Sequence, residues 1–152
     1  MAELHLEDLV PGQVHPLGRQ TLSQADIVAF ARAYDPQAFH LDEAAAAQTI
    51  YGGLIASGWQ TICVFMRLFV DGFLDRAAAM GSPGVDEVRW PRPVRPGDTL
   101  IGRIEVISVR PSDSRPDRGL ARLRCIAANQ DGDDVMSFIA NVLFARRPPT
   151  RD

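Results

Sequence analysis

Asp35 and His40 stand five positions apart in the stretch from Tyr34 to Gly58, YDPQAFHLDEAAAAQTIYGGLIASG. A carboxylate and an imidazole at that separation can share one water and draw a proton from it. The stretch closes on Ser57-Gly58, where the most apolar helix pattern of the chain begins. First-turn N–H groups of a helix have no intrahelical acceptor, and the helix dipole favours negative charge there. The Gly58 N–H could therefore hold a developing oxyanion. Each feature alone has an ordinary structural explanation. Aspartate before proline is a common turn, a loop histidine is more often a surface or capping residue, and serine before glycine is usually only a helix cap. Their occurrence together in one segment is what points to chemistry. An aspartate near its ordinary pKa of about 3.9 is a weak base, so this chemistry calls for a partly desolvated pocket that raises Asp35.

Helices and strands must position these groups. Ser23 with Asp26 three residues on resembles a helix start, Ile27, Phe30, Ala31 and Tyr34 mark one face, and Pro36 ends the helix at Asp35. Pro36 to Leu41 reads as a loop, and Asp42 caps a short helix over Glu43 to Gln48. Ser57, with Gln60 in a capping-box position, is expected to cap the Gln60 N–H and to open a helix running to about Ala77. Trp59, Phe65, Met66 and Phe69 read as core residues of that helix. A helix apolar over most of its circumference is expected to be wrapped by other structure.

The second half supplies strands. A short extended piece at Gln13 to Leu17 precedes them; then come a strand from Gly84 to about Trp90, a PRPVRPGD bend, and strands at Leu100 to Val109, Leu120 to Ala128 and Val135 to Ala145. Asp131-Gly132 is a hairpin signal between the last two. Met136, Phe138, Ala140, Val142 and Phe144 share one face by the two-residue period. Consecutive hairpin-joined strands with one buried helix predict an antiparallel sheet of the α+β class.

At 152 residues, 46% hydrophobic and 23% charged, the chain reads as a single globular domain over 1–152 with a polar tail from 146. The net charge of −3 argues against nucleic acid as a partner. All 16 basic residues are arginine, which excludes chemistry that needs a lysine amine, including Schiff bases and Walker-type phosphate binding. Cys63 and Cys125 lack metal or redox spacing and read as buried, reduced thiols; no metal site is expected. His5 and His15 read as exposed. Without a signal peptide or a spanning apolar run, the expectation is a soluble, cytoplasmic protein with no membrane partner.

The run Asp35-Pro36-Gln37-Ala38-Phe39-His40-Leu41-Asp42, with Ile55-Ala56-Ser57-Gly58 and later Pro93-Val94-Arg95-Pro96-Gly97-Asp98, resembles MaoC-like (R-specific) enoyl-CoA hydratases of the hotdog fold. The resemblance implies a sheet wrapped around a central helix, edge-to-edge homodimers, and addition of water to, or its removal from, an α,β-unsaturated acyl thioester in fatty-acid metabolism. It implies catalytic roles for Asp35, His40 and Gly58, and substrate contacts at Ile55, Ala56, Ser57 and Trp59. It calls for no cofactor beyond the coenzyme A of the substrate. Arg110, Arg115, Arg118, Arg122 and Arg124 read mainly as solvated, with one or two as candidates for coenzyme A phosphates. The chain departs from the pattern at Gln37-Ala38, where many hydratases have Asn-Pro, and at Ser57, where many have His. A helix hydroxyl that supports the aspartate in some members would fall near Met66, leaving Asp35 without it. The alternatives are a hotdog acyl-CoA thioesterase and a non-catalytic acyl-CoA-binding subunit.

Overall fold

The computed structural model describes residues 2–150. Its helices begin where local chemistry places them. The Ser23 hydroxyl accepts from the Asp26 N–H and the Asp26 carboxylate accepts from the Ser23 N–H, both at 3.1 Å, which starts α1 (Gln24–Tyr34). The expected loop after Pro36 contains instead one helical turn, α2 (Ala38–Leu41). Asp42 accepts from the Ala45 N–H at 3.0 Å and opens α3 (Glu43–Ala47).

The central helix, α4 (Gly58–Gly72), stops short of the expected Ala77, and Leu74–Arg76 form a separate 3-10 turn. Gly72 explains both the stop and the close packing at this end. Glycine is a poor helix former, and a Cβ at Gly72 would lie 2.8 Å from the Leu17 carbonyl oxygen.

Among the described residues five antiparallel strands follow the order β1-β3-β4-β5-β2, with β1 at Val14–Thr21, β2 at Gly84–Arg89, β3 at Thr99–Pro111, β4 at Arg118–Ala128 and β5 at Asp134–Ala145. β1 is longer than the sequence suggests because pairing with β3 continues past an irregularity between Pro16 and Gly18. β2 is an exposed edge, and its pairing with β5 breaks between Asp86 and Arg89, where Glu87 takes φ +54°.

α4 crosses one face of this sheet. Phe65, Leu68, Phe69 and Phe73 pack into a core with Leu100, Ile104, Leu123 and Cys125. Phe65 meets Phe138 edge-on, ring centroids 5.5 Å apart, and Phe73 meets Phe144 at 6.3 Å. All five residues assigned to one face of β5 are buried. Each of the larger ones, Met136, Phe138, Val142 and Phe144, contributes on the order of 1.5–3 kcal/mol through burial.

The helix is covered on one side only, which corrects three expectations. Trp59 is 59% exposed and Met66 45% exposed, so neither is core, and Cys63 is exposed while Cys125 is fully buried. These three residues recur at helical spacing on one face. An apolar pattern reads the same whether the chain's own sheet or another surface covers it. His5 and His15 are half-buried rather than exposed, and His15 packs edge-on against Phe73. No helix among the described residues is long and apolar enough to cross a membrane.

Candidate active site

The short helices deliver the chemistry. Asp35 is the residue on which α1 ends, and α2 carries His40 back beneath it, so that His40 Nε2 stands 3.2 Å from Asp35 Oδ2. His40 is 4% exposed and its Nδ1 lies 2.8 Å from the Ile55 carbonyl. A carbonyl only accepts, so Nδ1 carries a proton and Nε2 is the ring atom left to exchange one at the Asp35 face.

Asp35 is held by three groups. The Ser57 hydroxyl donates to Oδ2 at 2.7 Å, the Gln37 side-chain amide donates to Oδ1 at 2.7 Å, and His40 approaches Oδ2. Two expectations change here. Asp35 does have a supporting hydroxyl, that of Ser57 rather than one near Met66. Its pKa is lowered, not raised: the Gln37 hydrogen bond is the largest cause, partial burial works the other way, and Ser57 and His40 lower it further.

Ser57 is fully buried behind the carboxylate. Besides donating to Asp35, its hydroxyl accepts from the Trp59 N–H at 3.3 Å rather than from the Gln60 N–H, which goes to the Ser57 carbonyl at 3.0 Å. The Gln60 side chain instead reaches the Asp26 carbonyl at 3.0 Å, tying α4 to α1. The N–H of Gly58 finds no acceptor among the described residues. Above it lies Trp90, whose indole N–H donates to the Gly58 carbonyl at 3.0 Å.

Asp35, His40 and Gly58 open on one cavity of about 420 Å³. Ile55, Ala56, Trp59, Thr61, Val94 and Val135 line it, and all of these but Trp59 are buried. The segment bearing Ile55 and Ala56 is fixed on both sides: the Ile55 N–H donates to the Phe39 carbonyl at 3.1 Å, and the Ala56 N–H to the Val94 carbonyl at 2.8 Å. The Arg95 guanidinium donates to the Tyr51 and Gly53 carbonyls, pinning the turn before it. None of the five arginines from 110 to 124 reaches the cavity, whereas Arg92 lines it. Among the described residues no cluster of His, Cys, Asp or Glu could hold a metal ion.

The family model described as the MaoC like domain matches residues 10–125, a span that contains Asp35, His40, Gly58 and Trp90. The chain belongs to the MaoC-like family. Its α+β architecture is that of the hotdog fold. A crystal structure of the MaoC-like dehydratase from Rhodospirillum rubrum is similar at a TM-score of 0.89 and 42% identity, covering 96% of this chain and 99% of that one. The uncharacterized protein YdeM of Bacillus subtilis is 30% identical over 144 residues, 94% of this chain and 100% of its own length. A 3-hydroxybutyryl-CoA dehydratase of Methylorubrum extorquens is 31% identical over 140 residues, covering 88% of this chain and 78% of the relative.

In this MaoC-like chain the structure brings Asp35, His40, Ser57 and Gly58 together, with Ile55, Ala56 and Trp59 on the cavity wall. Sequence reasoning missed Trp90, Gln37, Thr61 and Arg95. Trp90 directly precedes the PRPVRPGD bend, and that position was the one available signal for it. Thr61 carried a weaker one: it falls one turn after Gly58 on the same helix face.

Proposed function

We propose that this protein hydrates α,β-unsaturated acyl thioesters, or dehydrates the corresponding 3-hydroxyacyl thioesters, with acyl-CoA as the substrate class. The observation that carries the reading is the 3.2 Å Asp35–His40 pair opening on the same cavity as the unpartnered Gly58 N–H. In the hydration direction, a water held at the Asp35–His40 face adds its oxygen to the β-carbon and gives a proton to the pair. The double-bond electrons move toward the thioester carbonyl, whose oxygen gains negative charge and accepts from the Gly58 N–H. Return of the proton to the α-carbon completes the addition, and the reverse sequence expels water.

A buried apolar end at Val135, Ala56 and Val94 suits an acyl group, and the exposed Arg92 at the cavity wall suits the polar remainder. The thioesterase reading has no comparable support, because attack at the carbonyl carbon does not call for the second proton-handling group. A non-catalytic subunit would be favoured by Asp35 and His40 pointing apart, and here they face each other.

Two observations support a homodimer as the working form: the uncovered apolar face of α4 at Trp59, Cys63 and Met66, and the open edge of β2. A cytoplasmic location belongs with this reading, as the compartment that holds acyl-CoA and keeps Cys63 reduced. The test is loss of the conjugated thioester absorbance of crotonyl-CoA and longer enoyl-CoA esters on mixing with the protein. Hydration that persists in a protein carrying both Asp35→Asn and His40→Ala would remove the assignment.

A further inference from the structure

The two oxygens of Asp35 are not equivalent. Oδ2 already receives the Ser57 hydroxyl at 2.7 Å and has His40 Nε2 beside it at 3.2 Å, so two side chains crowd that oxygen. Oδ1 has one partner, the side-chain amide of Gln37 at 2.7 Å. Gln37 is exposed and lines the cavity. It occupies the cap position before α2, yet its side chain makes no cap hydrogen bond, and the turn is held through its backbone, with the His40 N–H donating to the Gln37 carbonyl at 3.0 Å. Its amide has no structural duty here except to Asp35.

Deepening the hydratase reading on which it rests, we infer that Asp35 Oδ1 is the oxygen that meets the reacting water, and that Gln37 is a positioning residue that occupies this oxygen until the cavity is filled. A donor on Oδ1 stabilises the charged carboxylate and makes it a poorer base, in line with the Gln37 hydrogen bond as the largest cause lowering the Asp35 pKa. Ser57 and His40 fix the orientation of the carboxylate from the other oxygen, so releasing Gln37 leaves Asp35 in place while raising its proton affinity. An exposed side chain can make that movement without disturbing the core. Basicity is thereby withheld in the empty protein.

The test reads Asp35 directly, by titrating the carboxyl carbon in protein labelled with 13C at aspartate, the Asp35 signal being the one lost in Asp35→Asn. Gln37→Met removes the donor at similar length, and Gln37→Glu replaces it by a like charge. The expected result is a proton affinity at least about threefold higher in Gln37→Met, a rise of ~0.5 pH unit, and higher again in Gln37→Glu. Where enoyl-CoA hydration is measurable, the acid limb of kcat/KM moves up by the same interval. A titration midpoint unchanged in both variants overturns the inference whatever the activity. Failure of the wild-type protein to hydrate any enoyl thioester, with the midpoint still moving, would instead refute the hydratase reading and leave the role of Gln37 standing.

Discussion

The backbone of Gly58 lies directly beneath the indole of Trp90, so close that a Cβ on Gly58 would stand 2.5 Å from Trp90 Cε2 and 2.6 Å from Nε1. This glycine is required by a contact rather than by an unusual dihedral angle. The same indole donates to the Gly58 carbonyl, so Trp90 both excludes a side chain and holds the backbone of a residue that lines the cavity. Gly58→Ala is expected to destabilise the fold by about 1–3 kcal/mol through overpacking. In a Trp90→Ala background the same substitution should cost far less, because the obstructing ring is gone. Urea denaturation of the four proteins in this cycle measures the coupling. An equal penalty in both backgrounds would mean that the glycine answers to something other than Trp90.

Replacing Asp35 by Asn or His40 by Ala is expected to lower kcat/KM for enoyl-CoA hydration by roughly 10²–10⁴-fold each, the range of general acid–base catalysis. The pair stands 3.2 Å apart, and under the proposed reading its members handle one proton between them. The double variant should therefore lose much less than the product of the two single losses. Rates multiplying independently would show that the two groups act in separate steps.

Where structure depends on near neighbours in sequence, the chain was legible. The Ser23 and Asp42 caps, the consecutive β3–β4 and β4–β5 pairs and the one-face alternation along β5 all follow from spacing and residue type. The Asp35/His40 separation foretold their juxtaposition for the same reason, since one short helical turn joins them. What escaped depends on distant parts of the chain. Trp90 reaches Gly58 across 32 positions and Ser57 reaches Asp35 across 22, so no local pattern records either contact. Gln37 escaped for another reason: in a stretch read as a loop it stood out only as a departure from the hydratase pattern, and only its three-dimensional placement directs the amide to the carboxylate. The uncovered face of α4 was hidden because hydrophobicity does not say which molecule supplies the cover.

That face gives a prediction from its thiol. Cys63 lies between Trp59 and Met66 on the exposed side of α4. If a second copy covers the strip, thiol-reactive dye should modify Cys63 rapidly in dilute protein and slowly at concentrations where sedimentation reports a dimer. A Cys63→Ser protein should show no fast phase at any concentration. Labelling of Cys63 at one rate across the whole range, in protein that sedimentation reports as dimeric, would place the dimer contact elsewhere.

Cys125 answers to pH instead. It is fully buried in β4, and burial pushes its pKa from 9.0 up to about 12, against a smaller lowering by a backbone hydrogen bond from Ala140. A thiol raised in this way stays neutral in the folded chain while the unfolded chain ionises it at the ordinary value. Its contribution to stability is complete below pH 9 and is lost as pH rises toward the folded value of about 12. Across that window the loss runs at about 1.4 kcal/mol per pH unit. Cys125→Ala removes the titrating group, so its stability should fall less steeply than that of the wild-type protein between pH 9 and 11, measured by urea denaturation under reducing conditions. At pH 7 the alanine variant is the less stable protein, because alanine leaves a small void among Leu123, Phe138 and Ala140. Parallel curves for the two proteins above pH 9 would show that the Cys125 thiol ionises without unfolding.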